Sequence, residues 1–354
     1  MAEKVVVGLS GGVDSAAAAL LLKRQGYDVI GVTMQIWQPE AESGESCCGI
    51  TAVEDARLVA DTLGIPYHVL NFYSEFRAGV MDYFVEEYLR GRTPNPCVVC
   101  NRRIKWEALM ARARELGAGY IATGHYARIL KLDNGRYTVL NSVHIAKDQT
   151  YALYNLTQQQ LAHTLMPVGL YSKDEVRAMA AEAGVPVAQK KDSQDICFVP
   201  DGDYAAFIQA NAGSRMPGPG NFVSPQGKIL GRHRGLIHYT VGQRKGLDLP
   251  MGHPVYVTAL RPDTNEVMVG ENSEVFSDTL VCGSVNFMGM EGLPEPREAL
   301  VKIRYGHRGT MARLESVGPD RVRCTFQEPV RAVTPGQAAV FYEDGCVLGG
   351  GVIE

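Results

Sequence analysis

From residue 4 onward the chain alternates short apolar, β-branched runs with longer stretches whose apolar residues recur at helical spacing. Residues 4–9 predict a strand. They lead into Ser10-Gly11-Gly12-Val13-Asp14-Ser15 and then an Ala/Leu-rich helix to about Gln25. Residues 27–34 predict a second strand. Within 52–63, Ala52, Ala56, Val59, Ala60 and Leu63 fall on one helical face, and Ile65-Pro66 ends that helix. Residues 67–71 predict a third strand, 75–89 and 105–116 two helices, and 120–123 a fourth strand. Strands separated by helices imply a parallel sheet covered on both faces, an α/β fold.

The pattern then changes. Residues 128–140, with Asp133-Asn134-Gly135 at the centre, predict a hairpin, and 172–183 a helix. The Pro- and Gly-rich stretch 216–226 marks a boundary. Beyond it the pattern is short strands and turns, at 254–260, 266–269, 299–304, 310–317, 321–326 and 338–342. This predicts a small β domain followed by a β-barrel or sandwich.

A length of 354 residues suits two or three domains. No apolar run approaches the roughly 18 residues that cross a bilayer, and residues 5–9 turn too soon into glycines for a signal peptide. The expectation is a cytoplasmic protein with no membrane partner. Thiols stay reduced there, so the eight cysteines point to metal or redox chemistry before structural staples. A net charge of −4 means that any nucleic-acid site must be a local basic patch. The stretch 228–245 holds Lys228, Arg232, Arg234, Arg244 and Lys245 with no acid, which suits either such a patch or a solvated face.

A glycine turn between a strand and a helix presents backbone N–H groups and the positive end of the helix dipole to an anion. Gly11 and Gly12 permit close approach of a phosphate, and Ser10 and Ser15 add hydroxyl donors. Asp14 would repel phosphate, so a bridging Mg²⁺ is its expected partner. No lysine follows the loop, which sets it apart from loops serving γ-phosphate chemistry. The plainer alternative is a tight turn whose Asp14 and Ser15 cap the helix. This string resembles the pyrophosphate loop of the ATP pyrophosphatase superfamily, enzymes that split ATP between the α and β phosphates and adenylate a carbonyl oxygen.

Pro94-Asn95-Pro96-Cys97-Val98-Val99-Cys100-Asn101 is the second informative string. Its prolines stiffen the approach. A helix starting near Arg102, with Arg102, Arg103 and Lys105 close by, would favour a thiolate at Cys100. Cys197 is expected on a polar, exposed loop. Cys282, Cys324 and Cys346 are read as small buried hydrophobes, and the vicinal Cys47-Cys48 are given no function. Cys97 and Cys100 have the spacing of half a zinc site, but no second well-spaced pair exists.

Together these strings resemble the tRNA 2-thiouridylase family, over essentially the whole chain. Further strings carry the likeness: Ala122-Thr123-Gly124-His125-Tyr126-Ala127, Lys147-Asp148-Gln149-Thr150-Tyr151, Asp192-Ser193-Gln194-Asp195-Ile196-Cys197-Phe198 and Tyr239-Thr240-Val241-Gly242-Gln243-Arg244-Lys245-Gly246-Leu247. The resemblance implies an ATP pyrophosphatase domain (1–212), a small central β domain (213–275) and a C-terminal β-barrel (276–354). It implies that Gly8, Leu9, Ser10, Gly11, Gly12, Val13, Asp14, Ser15, Met34 and Gly124 contact ATP. The resemblance makes Cys100 the nucleophile and Cys197 the persulfide carrier, with either a Cys100–Cys197 disulfide left behind or the persulfide attacking the base directly. Asn95, Pro96 and Cys97 lie beside the target base; His125, Lys147, Asp148, Gln149, Arg304, Tyr305 and Gln337 lie on the RNA.

The implied partners are the tRNA anticodon stem-loop and a persulfide donor protein such as a cysteine desulfurase or relay protein. The cofactors are ATP and Mg²⁺. Many family members carry aspartate at position 97, assigned to acid–base help. Cys97 removes that carboxylate and opens a second option, in which Cys97, Cys100 and Cys197 hold a 4Fe–4S cluster by three irons. Two other readings of the chain remain at this stage. One is an amidotransferase-type adenylating synthetase, which would need ammonia and neither cysteine. The other is an RNA-binding module with a vestigial nucleotide site.

Overall fold

The computed structural model describes residues 2–36, 50–190, 196–199 and 202–354. Cys47-Cys48 and the string Asp192-Ser193-Gln194-Asp195 lie outside the described residues. The chain divides into two compact units. One comprises Met1–Val80, Cys97–Gly202 and Asp344–Val347; the other comprises Met81–Pro96, Asp203–Glu343 and Leu348–Glu354.

The first unit is built on β1 (Lys4–Gly8), β2 (Asp28–Gln35), β3 (Tyr67–Asn71), β4 (Tyr120–Ala122), the hairpin β5 (Ala127–Lys131) and β6 (Tyr137–Asn141), and the two-residue β7 (Thr164–Leu165). Five of these strands form a sheet in the order β3-β2-β1-β4-β7, and every pairing is parallel. A strand covered on both faces must be apolar throughout, and Val5, Val6 and Val7 of β1 are fully buried. The helix Val13–Arg24 buries nearly every residue from Val13 to Leu22, and its alanines let it lie close to the helix Lys173–Glu182. That second helix starts with a reciprocal capping box between Ser172 and Glu175.

Two helical stretches differ from the sequence reading. The one expected at 75–89 contains a π-helical turn, Arg77–Met81, between the α-helical Tyr73–Phe76 and Asp82–Leu89. The one expected at 105–116 begins much earlier. Pro96–Cys100 is α-helical, Asn101–Ala108 is π-helical and Leu109–Glu115 returns to α. Proline is well suited to a first helical position, which explains the early start.

In the second unit, Asp82–Leu89 packs on the helix Tyr204–Ala212, with Tyr88 stacked on Tyr204 at 5.2 Å and Phe84 edge-on to Phe207 at 6.2 Å. A four-stranded sheet, order β10-β11-β8-β9, is made by β8 (Gly220–Val223), β9 (Ile229–His233), β10 (Tyr256–Arg261) and β11 (Glu266–Gly270). It closes over Phe222, Leu236, Tyr239, Val257 and Val267. Six further strands form a barrel: β12 (Phe276–Phe287), β13 (Arg297–Lys302), β14 (Thr310–Gly318), β15 (Arg321–Arg331), β16 (Ala338–Glu343) and β17 (Cys346–Ile353). Their order is β12-β15-β14-β13-β16-β17, and β12 pairs with β17 to close it. Closure removes both sheet edges. Val301, Leu314, Phe341 and the thiols of Cys282 and Cys324 fill the interior. The three-part architecture expected from the sequence is the one observed, although β8, β9, β12 and β17 were not read. β8 lies inside the Pro/Gly-rich stretch, and β17 carries three consecutive glycines, Gly349 to Gly351.

Candidate active site

In an open parallel sheet, ligands bind beyond the carboxyl ends of the strands where the strand order reverses. Here that point lies between β1 and β4. The loop after β1 is Leu9-Ser10-Gly11-Gly12; the loop after β4 is Thr123-Gly124-His125. Sequence strings more than a hundred residues apart therefore meet. Gly124 approaches so closely that a Cβ on it would stand 2.6 Å from the Ser15 nitrogen. Gly11 has φ +70°, and a Cβ there would stand 2.6 Å from the Ala52 carbonyl oxygen. Met34 lies near the base of the loop, its methyl 3.6 Å from where a Gly8 Cβ would be.

Local hydrogen bonds shape this loop. The Ser10 N–H donates to Ser15 Oγ at 3.1 Å, and Ser15 Oγ donates to the Gly12 carbonyl at 3.0 Å. Thr33 Oγ1 donates to the Leu9 carbonyl at 2.8 Å. The N-cap of the following helix is Gly12, which has no side chain to satisfy the first-turn N–H groups. Asp14 does not cap the helix either. Its carboxylate accepts from Tyr126 Oη at 2.8 Å and from Lys173 Nζ at 2.8 and 2.9 Å. Lys173 is buried and the Asp14 side chain is half-buried, so solvent screens this ion pair only in part. The loop thus presents backbone amides beside a lysine and a carboxylate of known partnership, a donor set that fits a polyphosphate.

The cysteine helix lies in the same unit. Cys97 is exposed, in the first helical turn, while Cys100 and Cys197 are half-buried. The helix dipole therefore acts on Cys97 more than on Cys100. The basic residues expected around Cys100 are directed elsewhere: Arg102 to Glu107 at 3.4 Å, Arg103 to the Gly79 carbonyl at 3.5 Å, and Lys105 toward His125 Nε2 at 3.5 Å. What fixes Cys100 is its neighbour. Asn101 is buried and donates its amide to the Ala152 carbonyl at 2.9 Å, and Trp106 donates to Thr164 Oγ1 at 2.7 Å. The turn after Cys100 packs against Tyr73–Phe76. Phe198, next to Cys197, packs edge-on against Phe76 at 5.6 Å. Both cysteines are thus anchored on one short helix by adjacent residues. Among the described residues, no group of three or more His, Cys, Asp and Glu side chains is placed to hold a metal ion.

Three family descriptions match the chain: tRNA methyl transferase HUP domain over residues 3–201, tRNA methyl transferase PRC-barrel domain over 205–271, and aminomethyltransferase beta-barrel domain over 277–353. A tRNA-specific 2-thiouridylase from Lachnoclostridium phytofermentans is 58% identical over 99% of both chains. Enzymes of the same name from Carboxydothermus hydrogenoformans and Clostridioides difficile are 53% and 49% identical, covering 98% and 99% of those proteins and at least 99% of this chain. The chain belongs to the tRNA-specific 2-thiouridylase family.

The remaining residues that the family resemblance singles out fall in several places. His125 is half-buried against Trp106, its Nδ1 2.7 Å from Thr123 Oγ1; burial and the Lys105 charge hold its pKa well below the ordinary histidine value. Asp148 accepts from the Ser142 N–H at 2.8 Å and the Thr150 hydroxyl at 2.5 Å. Gln149 and Tyr126 exchange hydrogen bonds, the Tyr126 N–H to Gln149 Oε1 at 2.9 Å and the Gln149 N–H to the Tyr126 carbonyl at 3.0 Å. These two side chains brace the loop that carries Lys147. In the second unit, Arg304 donates to the Arg331 carbonyl at 2.8 Å, Tyr305 is exposed, and Gln337 donates to the Thr93 carbonyl at 2.8 Å. Asn95 is half-buried between buried Pro94 and Pro96.

Sequence reasoning missed Lys173, Tyr126 and Asn101. Lys173 had a signal. A lysine directly after a serine N-cap sits at the positive end of the helix dipole, where acids are favoured, so a structural partner had to be holding it. Asn101 and Tyr126 stand in the informative strings, but their contacts had no signal, because their partners are distant in sequence.

Proposed function

We infer that this chain is a tRNA-uridine 2-sulfurtransferase, which exchanges the C2 oxygen of the wobble uridine for sulfur at the cost of ATP cleaved to AMP and pyrophosphate. The observation that carries this reading is the pairing of buried Lys173 with half-buried Asp14 in a phosphate loop whose unit also holds Cys100 and Cys197, each followed by residues that pack on the Tyr73–Phe76 helix.

A uracil C2 carbonyl reacts poorly because its oxygen leaves badly. The O2 oxygen attacks the α-phosphorus of ATP and pyrophosphate departs, so the oxygen becomes part of an AMP leaving group. The amides of Gly11 to Ser15 and the Lys173 ammonium stabilise charge building on the phosphates. Asp14 holds the lysine in place and would be the carboxylate to hold the Mg²⁺ that accompanies ATP. Cys197 carries a persulfide delivered by a donor protein. The Cys100 thiolate attacks its inner sulfur, forming a Cys100–Cys197 disulfide and releasing hydrosulfide. Hydrosulfide adds to C2 and AMP leaves with the former uracil oxygen. An external thiol then reduces the disulfide. Cys97 serves as a bystander or a second thiol near the base, since it cannot replace a carboxylate.

Reaching the wobble base requires taking it out of its stack. Asn95 and Pro96 flank it, while Lys147, Arg244, Lys245, Arg304 and Tyr305 meet the RNA backbone. Among the described residues no helix is long and apolar enough to cross a membrane. The proposed reaction belongs in the cytoplasm because that is where its tRNA substrate is. The test is nucleoside mass spectrometry of unmodified tRNA incubated with the protein, ATP, Mg²⁺ and a persulfide donor. The 2-thiouridine nucleoside is expected; unchanged uridine would refute the reading.

A further inference from the structure

The short segment that carries Asn95 and Pro96 is gripped by the turn that precedes β16. The Thr93 N–H donates to the Pro335 carbonyl at 2.9 Å, and the Thr93 carbonyl accepts from Gln337 Nε2 at 2.8 Å. Both backbone polar groups of Thr93 are therefore bound by one three-residue turn. Its hydroxyl lies 3.1 Å from that of Thr240. Between the two contacts, Gly336 has φ +92°, and a Cβ there would stand 3.0 Å from the Thr93 nitrogen. Any other residue at 336 would suffer both backbone strain and collision with the segment.

The turn is itself fixed. The Ile353 carbonyl accepts from the Gly336 N–H at 2.9 Å and from the Arg92 guanidinium at 3.1 Å, and the Ile353 N–H donates to the Gln337 carbonyl at 2.8 Å. Arg92 also pairs with Glu87 at 2.8 Å, whose carboxylate is buried. Prolines at 94 and 96 lock φ on either side of Asn95, so displacement of Thr93 passes stiffly to Asn95.

We propose that Gln337 is a positioning residue for the thiolation reaction: with Gly336 and Thr240 it clamps Thr93, and so sets where Asn95 and Pro96 hold the target base. This rests on the reading that Asn95 and Pro96 flank that base. Gln337 then acts through the protein backbone, and its loss misplaces a reacting carbonyl without removing the phosphate contacts that supply RNA affinity.

Two quantities separate this from a direct RNA contact: the dissociation constant for unmodified tRNA, and the single-turnover rate of 2-thiouridine formation at saturating tRNA. For Gln337→Ala the rate is expected to fall about tenfold to a hundredfold, with affinity changed by less than about twofold. Gln337→Glu should be equally slow, because a carboxylate cannot donate to the Thr93 carbonyl. Thr240→Val removes one hydrogen bond only, and a loss of a few-fold in rate is expected; it serves if the Gln337 variants do not fold. ATP binding should be unchanged in all three, which a general loss of structure would not allow. Weaker tRNA binding with a normal saturated rate, or variants identical to the wild type, overturns the clamp. A wild-type protein that forms no thiouridine overturns the underlying reading instead.

Discussion

The phosphate loop and the Thr93–Pro96 segment both present functional groups, yet they are built in opposite ways. The turn of the loop is shaped by bonds among its own residues, such as Ser10 to Ser15, above a strand whose Val5, Val6 and Val7 are fully buried, while its Asp14 carboxylate reaches the distant Tyr126 and Lys173. Thr93 is held by Thr240 and Gln337, 147 and 244 positions away. A locally closed loop retains its shape through changes elsewhere, whereas a remotely held segment depends on the integrity of the barrel. Under the proposed function, binding of the common cosubstrate would sit on the robust element and placement of the specific base on the tunable one.

The largest effects should come from the chemistry both elements serve. Cys100→Ser and Cys197→Ser are each expected to reduce 2-thiouridine by at least about a thousandfold in a persulfide-fed assay, because a hydroxyl neither carries nor accepts persulfide sulfur. Pyrophosphate release should survive in both. Cys324→Ala and Cys346→Ser should keep thiolation. Substantial thiouridine from Cys197→Ser would break the relay.

Next come the residues that hold the phosphate loop. Asp14→Ala and Lys173→Met are expected to slow tRNA-dependent pyrophosphate release by about a hundredfold or more, the scale of losing a preorganised charge at a developing anion. Circular dichroism should show the fold intact for Asp14→Ala. Unchanged release from Lys173→Met would mean that the lysine only buttresses the helix. A smaller effect is expected at Cys97. Cys97→Asp should retain activity within a few-fold and bind no iron after anaerobic reconstitution; loss of activity together with loss of iron would establish the cluster that the relay does without.

The smallest effect is on stability. His125 titrates below its unfolded value, since burial and Lys105 disfavour the imidazolium. The unfolded chain therefore binds the extra proton first. The stability contributed by the neutral ring is complete above about pH 6.5 and is lost as pH falls below it. Denaturant titrations from pH 7.5 to pH 5 should show a decline that is shallower in His125→Asn. Equal slopes would remove His125 from the account.

How much of this was legible follows the same contrast. The loop after β1 could be read because a buried strand, two glycines and a helix are consecutive, and the five-strand order then brings Gly124 beside it. The barrel was read only in part: β12 mixes polar and apolar residues without a clear run, and the glycines of β17 look like a turn until β12 closes against them. The partners of the basic residues near Cys100 were not legible. Arg102, Arg103 and Lys105 are near it in sequence, but the π-helical register turns them toward Glu107, Gly79 and His125. Lys173 and Gln337 act on partners that no sequence window contains.

The central claim is that the uracil oxygen leaves as part of AMP. It can be tested with an anticodon stem-loop whose wobble uridine carries ¹⁸O at C2, incubated with the protein, ATP and a persulfide donor. The account predicts that the label appears in AMP, one labelled AMP for each 2-thiouridine formed. Label recovered in water or inorganic phosphate, or ADP in place of AMP, would contradict it.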